Sequence, residues 1–257
     1  MNVVCIIPAR GGSKRLLRKN VLSFCGLPLV EWSILQACCS HGIGPENTYL
    51  STDDDEIASI GEKHNIHIIR RPDWPNPDKL SAGEPIKHAI KEIRKKRKIE
   101  AIINTLPTSP IRFPKDFDRL IKRYEDLEKI YPDCKEVDWT IPQRETVIHK
   151  YMDDARMMFY LLDKNWYFGQ EGIASHIYEV EHYIKSTDIA EDKDLLEANA
   201  WMRPGKAGRL LYYIRGQWFQ QFEIDDQDSF ELCEIMMNRY ILKGRGAKVY
   251  KQYARSK

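Results

Sequence analysis

The sequence has 257 residues, which is enough for one large domain or for one domain with a sizeable insertion. Hydrophobic residues make up 42% and charged residues 30%, a globular composition that excludes disordered and collagen-like chains. The 40 Lys and Arg against 38 Asp and Glu leave a net charge of +2, which argues against a surface built to bind nucleic acid or an anionic membrane. A charged site must therefore be local.

Strand-like and helix-like patterns alternate through the first hundred residues. Short continuous apolar runs are typical of strands covered on both faces, and apolar residues three or four apart are typical of helices. The patterns predict, in chain order, a strand at 3–7, a helix at 28–39, a strand at 49–51, a helix at 55–64, a strand at 66–70, a helix at 84–98 and a strand at 101–104. This order predicts an α/β fold with a Rossmann-like, mainly parallel sheet and helices on both faces. Ligands of such sheets bind beyond the carboxyl ends of the strands.

The chain between residues 113 and 205 has a different character. It is richer in Tyr, Trp, Asp and Lys, and its periodicity is less regular. We interpret it as a divergent insertion in a single domain that spans 1–257. After it, the pattern predicts strands at 210–214 and 218–224 and an amphipathic helix at 228–242.

The cysteines and the N-terminus both favour a cytoplasmic protein. The 6 cysteines are scattered without a C-x-x-C pair, as expected of free thiols in a reducing compartment. No stretch approaches the roughly 20 apolar residues that span a bilayer, and no signal peptide precedes the first strand. We therefore expect no membrane partner.

A basic loop with a glycine pair follows the first predicted strand. Residues 8–20 read PARGGSKRLLRKN. Gly11 and Gly12 allow positive φ and close approach of the backbone, so successive amides can point at one anion, while Lys and Arg supply charge. The loop matches neither G-x-x-x-x-G-K-[ST] nor G-x-G-x-x-G. It predicts a polyphosphate cradle, with a solvated basic turn as the alternative.

Two carboxylates near the end of the chain suggest a metal site. Glu223 and Asp225 flank Ile224, so on a strand both would project from one face and offer the oxygen ligands that Mg²⁺ prefers. Asp226 and Asp228 are interpreted as caps of the last helix, with metal ligation as the alternative. The Asp53–Asp55 run is interpreted as the charged start of the second helix.

Several motifs in chain order resemble the acylneuraminate cytidylyltransferase family. They are IIPARGGSKRL at 6–16 with RKN at 18–20, GLPL at 26–29, STDD at 51–54, RP at 71–72, PTSP at 107–110 and EID at 223–225. The resemblance implies a nucleotidyltransferase-type fold. It also implies transfer of CMP from CTP to an acidic acceptor, a nonulosonic or related keto-acid sugar, with release of pyrophosphate and with Mg²⁺ as cofactor.

The resemblance also implies roles for individual residues. Lys19, Arg10 and Asp225 would be catalytic, with Lys19 near the α-phosphate, and the metal ligands would be Glu223 and Asp225. The nucleotide would be bound by Arg10, Gly11, Gly12, Ser13, Lys14, Asn20, Arg71 and Ser81. Asn20 would face the ribose or base, while Arg71 and Ser81 would line the cytosine pocket. The residues alone favour an exposed strand end for Arg71.

The acceptor and the assembly state are the open questions. Family members that use sialic acids commonly have Gln before the P-T-S-P motif, where this sequence has Leu106, which cannot hydrogen-bond a sugar. The acceptor could thus be a nine-carbon acidic sugar, an eight-carbon relative or a phosphonate. A catalytically inactive nucleotide-binding scaffold on the same fold is the rival hypothesis. The family commonly dimerises through the middle of the chain, so the aromatic range 113–205 implies a homodimer.

Overall fold

A seven-stranded sheet forms the centre of the computed structural model, counted over the residues that the structure describes. These are residues 2–75, 83–113, 115–130, 136–140, 175–179, 212–215, 218–243 and 250. The strands of the chain are β1 (Val3–Pro8), β2 (Ser23–Phe24), β3 (Leu27–Pro28), β4 (Thr48–Thr52), β5 (His67–Arg70), β6 (Ala101–Thr105), β7 (Glu136–Thr140), β8 (Ser175–Glu179) and β9 (Tyr212–Arg215). The short strands β2 and β3 form a separate hairpin.

The sheet is mainly parallel, as the sequence predicts. Its strand order is β5-β4-β1-β6-β8-β7-β9, and β8 alone runs antiparallel to its neighbours among these described strands. The chain moves outward from β1 through β4 to β5 and then crosses to β6 on the other side of β1. The loops after β1 and β6 therefore separate at the edge where ligands of parallel sheets bind.

Helices cover both faces of the sheet, which confirms the predicted layers. The helices are α1 (Leu29–Cys38), α2 (Asp55–Glu62), α3 (Glu84–Arg94), α4 (Asp116–Ile130) and α5 (Gln227–Met236). Helices α1, α2 and α4 share a core with one face of β1, and α3 shares a second core with the opposite face. Alternate residues of β1 supply the two cores, because successive side chains of a strand point to opposite faces.

The predicted cap at Asp226 is present, Asp228 lies in the first turn of that helix instead of capping it, and the predicted acidic start of α2 includes its cap, Asp54. The Asp54 carboxylate accepts from the amide of Ile57 at the start of α2. Asp226 and Ser229 form a reciprocal capping box at the start of α5. The last helix continues into a π-helical turn, Met237–Leu242, so the predicted helix at 228–242 is confirmed.

A third apolar cluster joins the end of the chain to α1. Phe230 of α5 meets the ring of Phe24 edge to face, with their centroids 5.3 Å apart. Ile224 is fully buried in the same cluster, beside Trp32 of α1. Because only the β2–β3 hairpin separates the basic loop from α1, this cluster places residues 222–226 near that loop.

The predicted strand at 218–224 is wrong. The chain forms a 3₁₀ turn at Trp218–Gln221 and then runs without regular structure through Ile224. The buried Gln220 amide donates to the Asp116 carboxylate and to the carbonyl of Ile111. These contacts, together with burial of Phe219 and Ile224, hold the segment against loops instead of a strand.

Parts of the range 113–205 belong to the main sheet. Helix α4 packs in the first core, and β7 and β8 extend the sheet beyond β6. The other residues of that range lie outside the described part, so its interpretation as an insertion and its role in assembly stay predictions. Within the described ranges, no helix is long and apolar enough to cross a membrane.

Candidate active site

The charged residues gather where four parallel strands end. The loops after β1, β4, β5 and β6 leave the sheet at one edge, since these strands run in the same direction. The first loop carries Arg10, the second Asp53 and the third Arg71. Arg71 lies close enough to Asp53 and Arg10 for both charges to act on its pKa.

Gly11 is required by a close contact rather than by a left-handed backbone. Its amide donates to the Asp53 carboxylate at 2.9 Å, and a Cβ placed on it would collide with the carboxylate of Asp54. Gly12 has open space around it. Among the described glycines, only Gly26 and Gly44 have positive φ. The glycine pair therefore makes a close approach without the positive φ that glycine allows, and the basic loop has its positive φ at Arg18.

Arg18 is a basic residue of the loop that two carboxylates of the same chain neutralise. It has a φ of 55°, and its guanidinium pairs with the carboxylates of Asp54 and Glu56. The hydrogen bond to Asp54 is the main cause that raises the pKa of Arg18, and the same bond lowers the pKa of Asp54. The sequence predicted only that Asp54 belongs to the charged start of α2, because its contact with Arg18 joins residues far apart in the chain.

The Lys19 side chain extends from the same loop to the segment that contains Ile224 and Asp225. Its side chain is 13% exposed, and its ammonium donates to the carbonyl of Ile224 at 2.5 Å and lies 3.9 Å from the Asp225 carboxylate. Burial lowers the pKa of Lys19, Asp225 and Glu223 oppose that shift, and Arg15 and Arg10 add to it. The structure thus brings the three predicted catalytic residues Arg10, Lys19 and Asp225 together.

The two predicted metal ligands lie in the same cluster, although they do not sit on a strand. The Asp225 carboxylate is 59% exposed and accepts from Arg15 at 3.0 Å. The Glu223 carboxylate accepts from the hydroxyl of Thr108 at 2.7 Å. Among the described residues, no three His, Cys, Asp or Glu side chains form a group that could hold a metal. Two carboxylates suit Mg²⁺ when substrate phosphates and water complete its shell.

Arg71 is held beside this cluster by the end of β4. Its guanidinium donates to the hydroxyl and the carbonyl of Ser51, at 3.1 and 2.9 Å. Arg71 is half-buried, so it is not the exposed strand end that the residues alone favoured, and this burial lowers its pKa to about 10. Ser81, its predicted partner in the cytosine pocket, lies outside the described residues.

The other predicted nucleotide ligands have different surroundings. Asn20 is 6% exposed, and its amide donates to the carbonyl of Arg10 at 2.9 Å. Its Oδ1 is buried and has no hydrogen-bond partner in the described part of the chain. Asn20 thus stabilises the loop from its buried side, by a hydrogen bond to the backbone at Arg10. Ser13 is half-buried and Lys14 is exposed on the loop surface.

The sequence did not predict how the loop after β6, which carries the P-T-S-P motif, contacts the site. The amide of Ile224 donates to the carbonyl of Thr108 at 2.8 Å, so the P-T-S-P loop and the Glu223–Asp225 segment are bonded together. The motif marked this loop, but the sequence held no signal for its partner. Arg15 was visible as one more basic residue, without an indication that it meets Asp225.

A comparison with protein families decides the identity of the fold. The model of the cytidylyltransferase family matches residues 4–236. The chain belongs to this family. Its N-acylneuraminate cytidylyltransferase relative from Escherichia coli O18:K1:H7 is 30% identical over 233 residues, which cover 90% of this chain and 51% of the relative.

Further relatives agree with this membership. A pseudaminic acid cytidylyltransferase from Campylobacter jejuni is 52% identical over 64 residues, covering 25% of this chain and 27% of the relative. The chain thus spans about half the length, or less, of these curated relatives. The solved structure of a CMP:2-keto-3-deoxy-manno-octonic acid synthetase with CTP has a TM-score of 0.65 at 16% identity and covers 93% of this chain and 99% of that chain. This likeness shows the nucleotidyltransferase fold.

Proposed function

We propose that this chain transfers CMP from CTP to an acidic acceptor, a nonulosonic or related keto-acid sugar. One observation carries the proposal: Arg10, Arg15 and Lys19 lie close to Glu223 and Asp225 at the edge where the parallel strands end. That arrangement gathers positive charge for a triphosphate and leaves oxygen ligands beside it. The names of the sialic acid and pseudaminic acid relatives support the class of acceptor.

The transfer makes one bond and breaks another. The oxygen of the acceptor hydroxyl bonds to the α-phosphorus, and the bond from that phosphorus to the oxygen bridging the β-phosphate breaks. Pyrophosphate leaves with the bonding electrons, and the hydroxyl proton passes to water. Phosphoryl chemistry of this kind depends on positioning and on charge stabilisation, which are the properties that the loop supplies.

Lys19 is the residue best placed to stabilise developing charge. Its ammonium is fixed by the Ile224 carbonyl, and its burial removes competing water. A positioned cation in a poorly hydrated site costs no reorganisation when charge develops. Arg10, Ser13 and Lys14 would hold the phosphates, and Arg71 would take the base. Because Asp53 already accepts from the Gly11 amide, a phosphate can use that amide only when Asp53 moves away.

Glu223 and Asp225 would hold a magnesium ion. Their carboxylates are hard oxygen donors, and both are near enough to Lys19 to oppose the lowering of its pKa. They therefore fit a divalent ion that also takes phosphate oxygens. When bound, the ion neutralises phosphate charge. The residues of the chain do the remaining work of binding and orientation.

Pyrophosphate release tests this proposal. The purified chain is given Mg²⁺, each of the four NTPs and a panel of acceptors: N-acetylneuraminate, an eight-carbon keto-acid sugar and a phosphonate. We expect release with CTP and an acidic sugar only. Release with the phosphonate alone would favour a second candidate function, transfer of CMP to a phosphonate acceptor. Leu106 supports this candidate because its side chain cannot hydrogen-bond a sugar. If no pair of NTP and acceptor releases pyrophosphate although CTP binds, the chain is an inactive nucleotide-binding scaffold.

We also propose a homodimer in a reducing compartment such as the cytoplasm. The aromatic composition of the range 113–205 suits an interface core. The described cysteines Cys5, Cys25, Cys38, Cys39 and Cys233 are free thiols, which supports the compartment. Sedimentation at micromolar concentration should give twice the mass of 30.2 kDa, and a monomer there would contradict the dimer.

A further inference from the structure

We infer that Thr108 is a positioning residue that fixes Glu223 and the Ile224 backbone against Lys19. The inference rests on the proposed function of this site. Thr108 uses two groups on the same segment: its hydroxyl donates to the Glu223 carboxylate at 2.7 Å, and its carbonyl accepts from the Ile224 amide at 2.8 Å. One residue of the loop after β6 thus fixes the positions of both the Ile224 backbone and the Glu223 carboxylate.

The loop that carries Thr108 is itself held from the buried side. The Leu106 carbonyl accepts from the guanidinium of Arg112, and the Pro110 carbonyl accepts from the amide of Gln36 at 2.7 Å. Arg112 is 1% exposed and also donates to the Gln36 side chain, which joins the two anchors. Thr108 therefore lies on a loop that is fixed from its buried side, so its hydroxyl can hold Glu223 in one position.

Lys19 depends on this arrangement through Ile224. The Ile224 carbonyl receives the Lys19 ammonium, while the Ile224 amide is bonded to Thr108. Both peptide groups beside Ile224 are thus fixed, and its side chain is fully buried. Glu223 acts on Lys19 by charge. Removing the Thr108 hydroxyl takes this hydrogen bond away from the Glu223 carboxylate and leaves the backbone bond in place.

Two substitutions separate the hydroxyl from the shape of the side chain. Thr108→Val replaces the hydroxyl by a methyl group of similar size, so the Glu223 carboxylate loses a charge-assisted hydrogen bond. Thr108→Ser keeps the hydroxyl and loses the methyl group. A role in packing alone would make serine the worse variant, and a role through the hydroxyl makes valine the worse one.

A double-mutant cycle with Glu223→Ala tests the inference. We expect T108V to lower kcat about tenfold, a loss of about 1.4 kcal/mol, with the KM for CTP within about twofold. T108S should stay within about threefold of the original kcat. In the E223A background, T108V should change kcat by less than about twofold, because its partner is already gone. Equal losses in both backgrounds, or a T108S variant as slow as T108V, would overturn the inference.

Metal affinity gives a readout that does not depend on turnover. Mn²⁺ binding in the presence of CTP, followed by electron paramagnetic resonance, should weaken about threefold in T108V, and T108V should add no further weakening to that of E223A alone. This holds even where no acceptor supports turnover, so failure of the proposed reaction and failure of the Thr108 inference can be told apart. Unchanged Mn²⁺ affinity in T108V would overturn it. If T108V does not fold, T108A completes the same cycle.

Discussion

The basic loop of residues 9–20 and the acidic segment of residues 222–226 meet in the site but are held in different ways. Charged groups hold the loop: Asp53 accepts from the Gly11 amide, and Asp54 and Glu56 pair with Arg18. In the segment, neutral groups add to the charged contacts from Arg15 and Lys19, through the Thr108 bonds and the burial of Ile224. We therefore expect the position of the basic loop, the cationic side of the site, to be sensitive to salt and to charge substitutions. The position of the acidic segment, the anionic side, should be more sensitive to changes in packing.

Neighbouring residues within each region also have different duties. Arg18 and Lys19 are adjacent cations, but Arg18 is neutralised by α2 while Lys19 reaches Ile224 and Asp225. In the segment, Asp225 faces Arg15, whereas Asp226 caps α5. A count of like charges therefore overstates how many residues a substrate can use. Substitution of one neighbour at a time separates binding from support.

Lys19→Ala should have the largest effect. It removes the cation that the Ile224 carbonyl holds in the site, and we expect kcat to fall about a hundredfold or more. Pyrophosphate release at saturating CTP measures it. Lys95→Ala is the matched control, because Lys95 is 66% exposed and paired with Glu92 on α3, and it should leave kcat unchanged. A K19A turnover within tenfold of the original would remove Lys19 from the mechanism.

The sequence predicts the parallel half of the fold well because local patterns decide it. Continuous apolar runs marked β1 and β6, and helical spacing marked α1 and α3. The strand predicted at 218–224 is wrong because its apolar residues fill a cluster with α1 and α5, a tertiary contact that periodicity does not encode. An alternation of apolar and polar residues suits a strand and an irregular segment equally well.

The candidate site divides in the same way. Charge and glycine content identified the loop, and the alternation about Ile224 together with the family motif identified Glu223 and Asp225 as candidate metal ligands. The pairs that give each residue its duty join distant positions: Arg18 with Asp54, Arg15 with Asp225 and Thr108 with Glu223. These pairs depend on how the strand ends and the last helix pack, so the sequence could name the members but not assign the pairs.

Asp225→Ala and Asp226→Ala should separate activity from stability. We expect D225A to lower kcat on the order of thirtyfold, because a carboxylate beside Lys19 is lost, and to leave Tm nearly unchanged. Its contact with Arg15 lies at an exposed position, where ion pairs add little stability. D226A removes the cap of α5 and should lower Tm by about 2–4 °C with kcat within about twofold.

Turnover assays and thermal melts of the two variants check this division. An equal loss of kcat in both variants would assign Asp226 to the site as well. An equal loss of Tm would mean that Asp225 supports the fold. Either result would remove the distinction between the two neighbours of the acidic segment.

Arg18→Ala should have the smallest effect, on binding rather than on turnover. The variant loses the pairs with Asp54 and Glu56 that fix the turn before Lys19, and we expect the KM for CTP to rise roughly threefold with kcat within about twofold. Because ions screen exposed pairs, the difference from the original chain should shrink in 0.5 M salt.

Arg18→Gly separates the ion pairs of Arg18 from its backbone. The residue has a φ of 55°, a conformation that glycine adopts without the steric cost that alanine retains. R18G should therefore melt at a higher temperature than R18A while showing the same rise in KM. A KM that returns to the original value in R18G would assign the effect to the turn itself. The charged pairs with α2 would then not be what holds the cationic side of the site.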